Sequence, residues 1–345
     1  MDATISARDP RAEAQALVGD EHRARVLEPS PPAVTEGPFF ADDPVALDDA
    51  GGSVVTMRGL PGSLDWDAWL AVDGPADDQR RAWVTSSWLG ADRRLPRAPA
   101  DLTATRIDLH RLAAYVIAPV RHRANGKFGL RWTRGGFGTP FFPGPDGEDR
   151  QIRVEGTTLV DQRGGSVADG GTVRTAPITT LRAAAEFLGG EIDTETAAEH
   201  DSPPVGDIDA PLVVDPAASV FLGHWFGLGF AALEAVRGDA GSADPSRPQL
   251  WPGHFDPAIE VGDEDHRGSY GASPGDAGVD EPYLYLSVWW PDRVGLAGDD
   301  LDRDLWNAPS FTGAVLRLSD FPADEDPVDV ATRFWFEHRD ALHRG

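Results

Sequence analysis

The chain has 345 residues, 41% of them hydrophobic, and carries 57 acidic against 31 basic residues for a formal charge of −26. A field of that sign repels nucleic acid and anionic lipid, so neither is an expected partner. The absence of Cys excludes disulfides and thiolate metal sites, and no run approaches the roughly 18 apolar residues of a membrane span.

Length allows one large domain or two ordinary ones. The N-terminus lacks the apolar core of a signal peptide, which makes the cytoplasm the expected compartment. Lys127 is the only lysine in a basic set made almost entirely of Arg. That composition resembles proteins of salt-accumulating halophiles and reads as an adaptation to solvent.

In chain order, residues 9–27 have helix-forming composition and residues 28–44 form a Pro-rich connector, so 1–48 is an expected N-terminal arm. Short elements are expected at 65–72 and 81–89, carrying Trp66, Trp69, Trp83 and Trp88. Asp101 opens the clearest helix, with Leu102, Leu109, Leu112, Val116 and Val120 at helical spacing, a kink expected at Pro119 and a stop at Asn125-Gly126. Alternation around Phe128, Leu130 and Trp132, then QIRVEG, TTLVDQR and TVRTAP, predicts antiparallel hairpins. A helix over 180–188 follows, and the acidic, Pro-containing stretch 190–210 is expected as a long loop or linker.

Asp215 caps and Pro216 starts a core helix whose stripe is Val220, Phe221, Trp225, Leu228, Ala232 and Val236, with His224 beside it as a hydrogen-bonded core histidine. Strands are expected over 255–261, 283–289 and 312–318, and Asp326-Pro327 begins a final helix. The order predicts an α+β fold: antiparallel sheet, helices packed mainly on one face, Pro/Gly-rich loops. The expected organisation is one domain over 49–345, with two lobes (49–190 and 211–345) joined by 191–210 as the alternative.

Three constellations bear on function. Gly271-Ala272-Ser273-Pro274-Gly275 matches a nucleophile elbow, but Pro274 has no N–H for an oxyanion hole and no helix follows, so it reads as a structured turn. On a regular strand His254, Asp256 and Glu260 share a face, which a hard or borderline metal would suit, with His224 and His266 as further ligands; the pattern is equally that of any half-exposed strand. No metal and no cofactor is expected, and a His/Asp metal-dependent hydrolase is a minor alternative. The third is a basic island: between Asp108 and Asp146 no acidic residue occurs, and Arg111, Arg121, Arg123, Lys127, Arg131 and Arg134 do.

The functional expectation is a pocket formed by this island and the Gly/Pro-rich loop 250–286, taking an anionic small molecule through Lys127, Arg131, Arg134, Thr139, Tyr270 and Asp276. If the protein is an enzyme, acid–base chemistry with Asp256 or His254 as base is the expectation, because there is no thiol, serine elbow or P-loop. The alternative is a non-catalytic interaction module built on the eleven Trp.

The runs LHRLAAYVIAPVRHRANGKFGLRWTRGGFGTPFF, LWPGHFDPAIEV, SYGASPGD, PYLYL and WNAPSFTGAVL resemble motifs of an uncharacterised bacterial and archaeal protein family, over about residues 101–342. More distantly, the order of helix, Gly-Lys, strand, Trp-x-x-x-Phe-Asp and late Pro-x-x-Tyr is similar to a larger family of domains of unknown function. The resemblance implies a shared fold and no catalytic residues to carry over; Asp256 fits the distant pattern and His254 does not.

Overall fold

The computed structural model describes residues 45–49, 52–56, 95–133, 136–139, 142–145, 149–163, 172–200, 202–246, 248–297 and 301–344. The expected elements at 9–27, 28–44, 65–72 and 81–89, and Arg134, lie outside them. A short antiparallel hairpin pairs β1 (Val45–Asp49) with β2 (Gly52–Thr56).

Helix α1 (Leu102–Leu112) runs through a π-helical turn (Ala113–Ile117) into α2 (Ala118–Asn125). Pro119 has no N–H to give the Tyr115 carbonyl four residues back. The irregularity expected there takes the form of this π turn, and the Asp193 N–H donates to the Tyr115 carbonyl at 3.3 Å instead. Gly126, at φ 74°, closes the helix in left-handed backbone.

The first sheet is antiparallel, in the order β3 (Arg131–Thr133), β4 (Gly136–Gly138), β6 (Asp149–Glu155), β7 (Thr158–Arg163), β8 (Thr172–Pro177), with β5 (Phe142–Pro143) on β6. Its register places Trp132, Phe137, Val154 and Leu159 in one row, and that buried row faces the helices. Thr180 caps α3 (Leu181–Leu188), its side chain accepting from the Ala183 N–H. The stretch 190–210 holds α4 (Thr194–Ala198) and is strapped to α1: Arg111 donates to the carbonyls of Val205 at 2.7 Å and Asp207 at 2.8 Å, and the Tyr115 hydroxyl to that of Pro203.

Helix α5 (Pro216–Gly238) joins the halves. Asp215 caps it by accepting from the Ala218 N–H at 2.8 Å. Phe221, Trp225, Leu228, Ala232 and Val236 are buried as expected, and so are Leu222, Phe226 and Leu233, because the helix lies against both sheets. Its outward strip is Val220, 46% exposed, with exposed His224 one turn on; the expectation of both in or beside the core is therefore corrected. Trp132 on the first sheet donates to the Gly223 carbonyl, and Trp225 donates to that of Ala272 on the second. Among the described residues, Pro216–Arg237 alone is long and apolar enough to cross a membrane by length and composition, and 76% of that window is buried inside the fold.

The second sheet is antiparallel in the order β9 (Gln249–Trp251), β10 (Asp256–Val261), β11 (Gly268–Ser273), β12 (Tyr283–Val288), β13 (Gly313–Arg317). Helix α6 (Pro327–Leu342), capped by Asp326, packs on it, and Trp335 donates to the Tyr285 carbonyl at 2.9 Å. Reciprocal 2.8 Å hydrogen bonds between Leu130 and Leu250 bridge the sheets. The architecture is α+β with antiparallel sheets, and α5 and α6 pack on one face of the second sheet.

Candidate functional site

Register decides what the other face of the second sheet presents. Ala258, Gly271, Tyr285 and Val315 are paired across four strands, and Glu260, Ser269 and Ser287 across three. Side chains alternate along each strand, so Asp256, Glu260, Ser269, Ser273, Tyr283 and Tyr285 turn away from the helices, while Ile259, Tyr270, Ala272 and Leu284 turn toward them. The outward set floors a cavity of about 810 Å³. Its walls are Arg106, Ile107 and His110 of α1, Glu199, His200 and Pro203 of the strap, the turn Trp251–Pro252–Gly253–His254, and Ala277, Trp289 and Phe311 from loops.

The entry to β10 is strained. Phe255 sits at φ 58°, a left-handed conformation that costs an aromatic residue about 1–3 kcal/mol. It is held there by burial: its ring stacks on His110 at 5.2 Å and meets Phe137 and Phe226 edge-on at 5.0 and 5.1 Å. His110 fixes the preceding turn as well, its Nε2 donating to the carbonyls of Pro252 at 2.8 Å and Gly253 at 3.0 Å. The regular strand expected from residue 255 therefore begins at Asp256, and exposed His254 and buried Asp256 reach the same cavity from either side of the reversal.

Two carboxyl–tyrosine pairs share strand β12. Tyr285 donates to Asp256 Oδ2 at 2.6 Å and Tyr283 donates to Asp276 Oδ2 at 2.6 Å, with the rings 6.1 Å apart. Their environments push the acids in opposite directions. Burial drives the Asp256 carboxyl above its ordinary range, and neither the charge of His254 nor the Tyr285 hydrogen bond offsets it; its Oδ1 has no hydrogen-bond partner among the described residues. Burial acts on Asp276 too, but the Tyr283 hydroxyl and the N–H groups of Val279 and Gly278 outweigh it and hold that carboxyl below the ordinary value. Glu260 is raised by burial, which its ion pair with Arg267 at 3.5 Å only partly opposes.

Among the described lining residues, Glu199, Asp256, Glu260 and Asp276 bring carboxyl groups and Arg106 a guanidinium, which is already engaged by Asp280 and the Pro274 carbonyl, both at 3.4 Å. Ser273 Oγ accepts from the Gly275 N–H at 3.2 Å, as in a turn.

Of the residues expected to bind ligand, Asp276 lines this cavity together with His254 and Asp256. Tyr270 does not: odd parity with Ser269 and Ser273 places it, fully buried, on the helix face. Lys127, Arg131 and Thr139 do not line it either. Arg131 is buried on the first sheet with Nε donating to the Trp132 carbonyl, and Thr139 is spent on Ile152, accepting from its N–H and donating to its carbonyl. The island stretch therefore reaches this cavity through His110 and Phe128, while Lys127 and its described arginines do not line it. Sequence reasoning missed Arg106, His110, Tyr283 and Tyr285. The Tyr-x-Tyr-x-Ser alternation of 283–287 was the available signal for the last two.

Comparison of the chain with protein-family models, curated proteins and solved structures finds no match.

Proposed function

We propose that the cavity binds a neutral or cationic, hydroxyl-rich small molecule and performs acid–base chemistry on it. Asp256 acts as proton donor and Asp276 as acceptor. The observation that carries this reading is the pair of carboxyls bound to neighbouring tyrosines and shifted apart, the arrangement that lets one side chain hold a proton while the other remains ionised. Protonated Asp256 uses Oδ2 to accept from Tyr285 and so has its Oδ1 proton to give. An anionic ligand suits these walls poorly, since Arg106 is already engaged by Asp280 and the Asp276 carboxyl beside it is held in its ionised form. Half-buried Trp251 and Trp289 supply apolar faces for a polar ring. None of the seven described tryptophans is exposed, which favours a cavity over an open interaction surface.

The test is a thermal-shift screen in molar KCl with polyols and sugars, amines, carboxylates and phosphates, repeated on Asp256→Asn. Because the folded carboxyl titrates above its reference value of 3.8, the stability it contributes is present below that pH and is lost as pH rises through the folded value. Asn mimics the neutral form and still accepts from Tyr285. The variant is therefore expected to be more stable than wild type at pH 7, to keep ligand binding and to lose turnover. Shifts from carboxylates and phosphates alone, or a less stable variant, would overturn the proposal.

A further inference from the structure

A second cluster lies at the far end of strand β10 from Asp256, about 20 Å along the strand direction. The turn between β10 and β11 carries Asp263 and His266, and His343 caps the C-terminus of α6. One oxygen or nitrogen from each lies within 4.8 Å of the others. The turn fixes the carboxylate: Asp263 Oδ1 accepts from the N–H groups of Asp265 at 3.0 Å and His266 at 2.9 Å. His266 Nδ1 is also 2.9 Å from that oxygen, and the His266 and His343 rings stand 4.8 Å apart at 31°.

We infer that Asp263, His266 and His343 form a site for a borderline divalent cation of the zinc, cobalt or nickel class. An ion about 2.0–2.2 Å from each donor sees atoms 2.9 Å apart at an angle of about 90°, so it can take the place of the proton between Asp263 and His266. His343 then closes by about 1–2 Å, a rotamer adjustment open to a side chain at an exposed helix end. Two imidazoles and one carboxylate select such ions over magnesium or calcium, which prefer all-oxygen sites. Asp265 and Asp340 stand nearby, each paired with an arginine, Arg293 at 3.1 Å and Arg339 at 2.8 Å, so the attraction for a cation comes from the three ligands themselves. The sequence does not announce this set, because Asp263 and His343 meet only through the fold. The ion would tie the end of α6 to the turn between β10 and β11, so its effect falls on stability and is independent of the cavity chemistry.

Chelator-treated protein in molar KCl is titrated with zinc or magnesium while the thermal midpoint is followed, for wild type, His266→Ala and His343→Ala. Urea melts without metal confirm that both variants fold. Zinc is expected to raise the wild-type midpoint saturably by several degrees at one ion per chain, magnesium to leave it unmoved, and either variant to lose the shift. Cobalt(II) should show ligand-field absorption in wild type that His343→Ala weakens. An equal response to magnesium would mean generic attraction to an acidic surface. That outcome, zinc shifts surviving in either variant, or no zinc shift at all would each overturn the site.

Discussion

His110 shows how one side chain can organise the cavity and limit the protein's pH range. Burial pulls its pKa from 6.5 down to about 4, against the opposing pull of the two carbonyls that accept from it. The unfolded chain therefore binds a proton that the folded one refuses between those values, so stability falls as pH drops from 6.5 toward 4, by about 3 kcal/mol in all. His110→Gln, which keeps a side-chain N–H for the carbonyls, should flatten that part of the curve; urea midpoints at half-unit pH intervals check it, and an unchanged slope would assign the loss to other groups. Neither His110 nor Phe255 was legible beforehand. A left-handed phenylalanine is visible only once the rings that trap it are in place, and the alternation assumed for 254–261 breaks at that residue.

Elements were more legible than residues, and for local reasons. Asp215-Pro216 and Asp326-Pro327 announce helix starts through capping chemistry that needs no tertiary partner, and the helix expected over 180–188 runs from Leu181 with Thr180 as its cap. The hairpins of the first sheet follow from alternation alone. What alternation does not supply is which side chains converge: the island meets the 250–286 loop at the Leu130–Leu250 bridge, yet Lys127 and Arg131 do not line the cavity that the loop helps to build. The stretch 190–210 also departs from its composition, since hydrogen bonds from Arg111 and Tyr115 hold it against α1. At this scale β11 offers a direct test. A Cβ at Gly271 would fall inside the phenol ring of Tyr285, so the glycine is what lets that ring lie across the strand toward Asp256. Gly271→Ala should destabilise the fold by about 1–3 kcal/mol in urea. It should also abolish the response to any ligand that shifts the wild type; a full response would show that the position of Tyr285 is unimportant to binding.

For the whole molecule the dominant quantity is its −26 charge. The Debye length shortens from about 10 Å at 0.1 M salt to about 3 Å at 1 M, so repulsion between neighbouring surface carboxylates fades across that range. Urea midpoints are expected to rise steeply from low to molar KCl, and equal midpoints at both ends would mean that the acids are compensated within the fold. Charge was readable from composition, whereas the cavity was not, because its walls come from α1, the strap, the second sheet and loops that only tertiary packing assembles. That origin also divides labour. Asp256, Ser269, Ser273, Tyr283 and Tyr285 stand on a hydrogen-bonded mesh, repeating every ~4.8 Å from strand to strand and ~6.7 Å along each strand. Such a mesh is a ruler: it sets the separations a ligand must match, and substitutions in the surrounding loops can widen, narrow or re-line the mouth without altering the scale engraved on its floor.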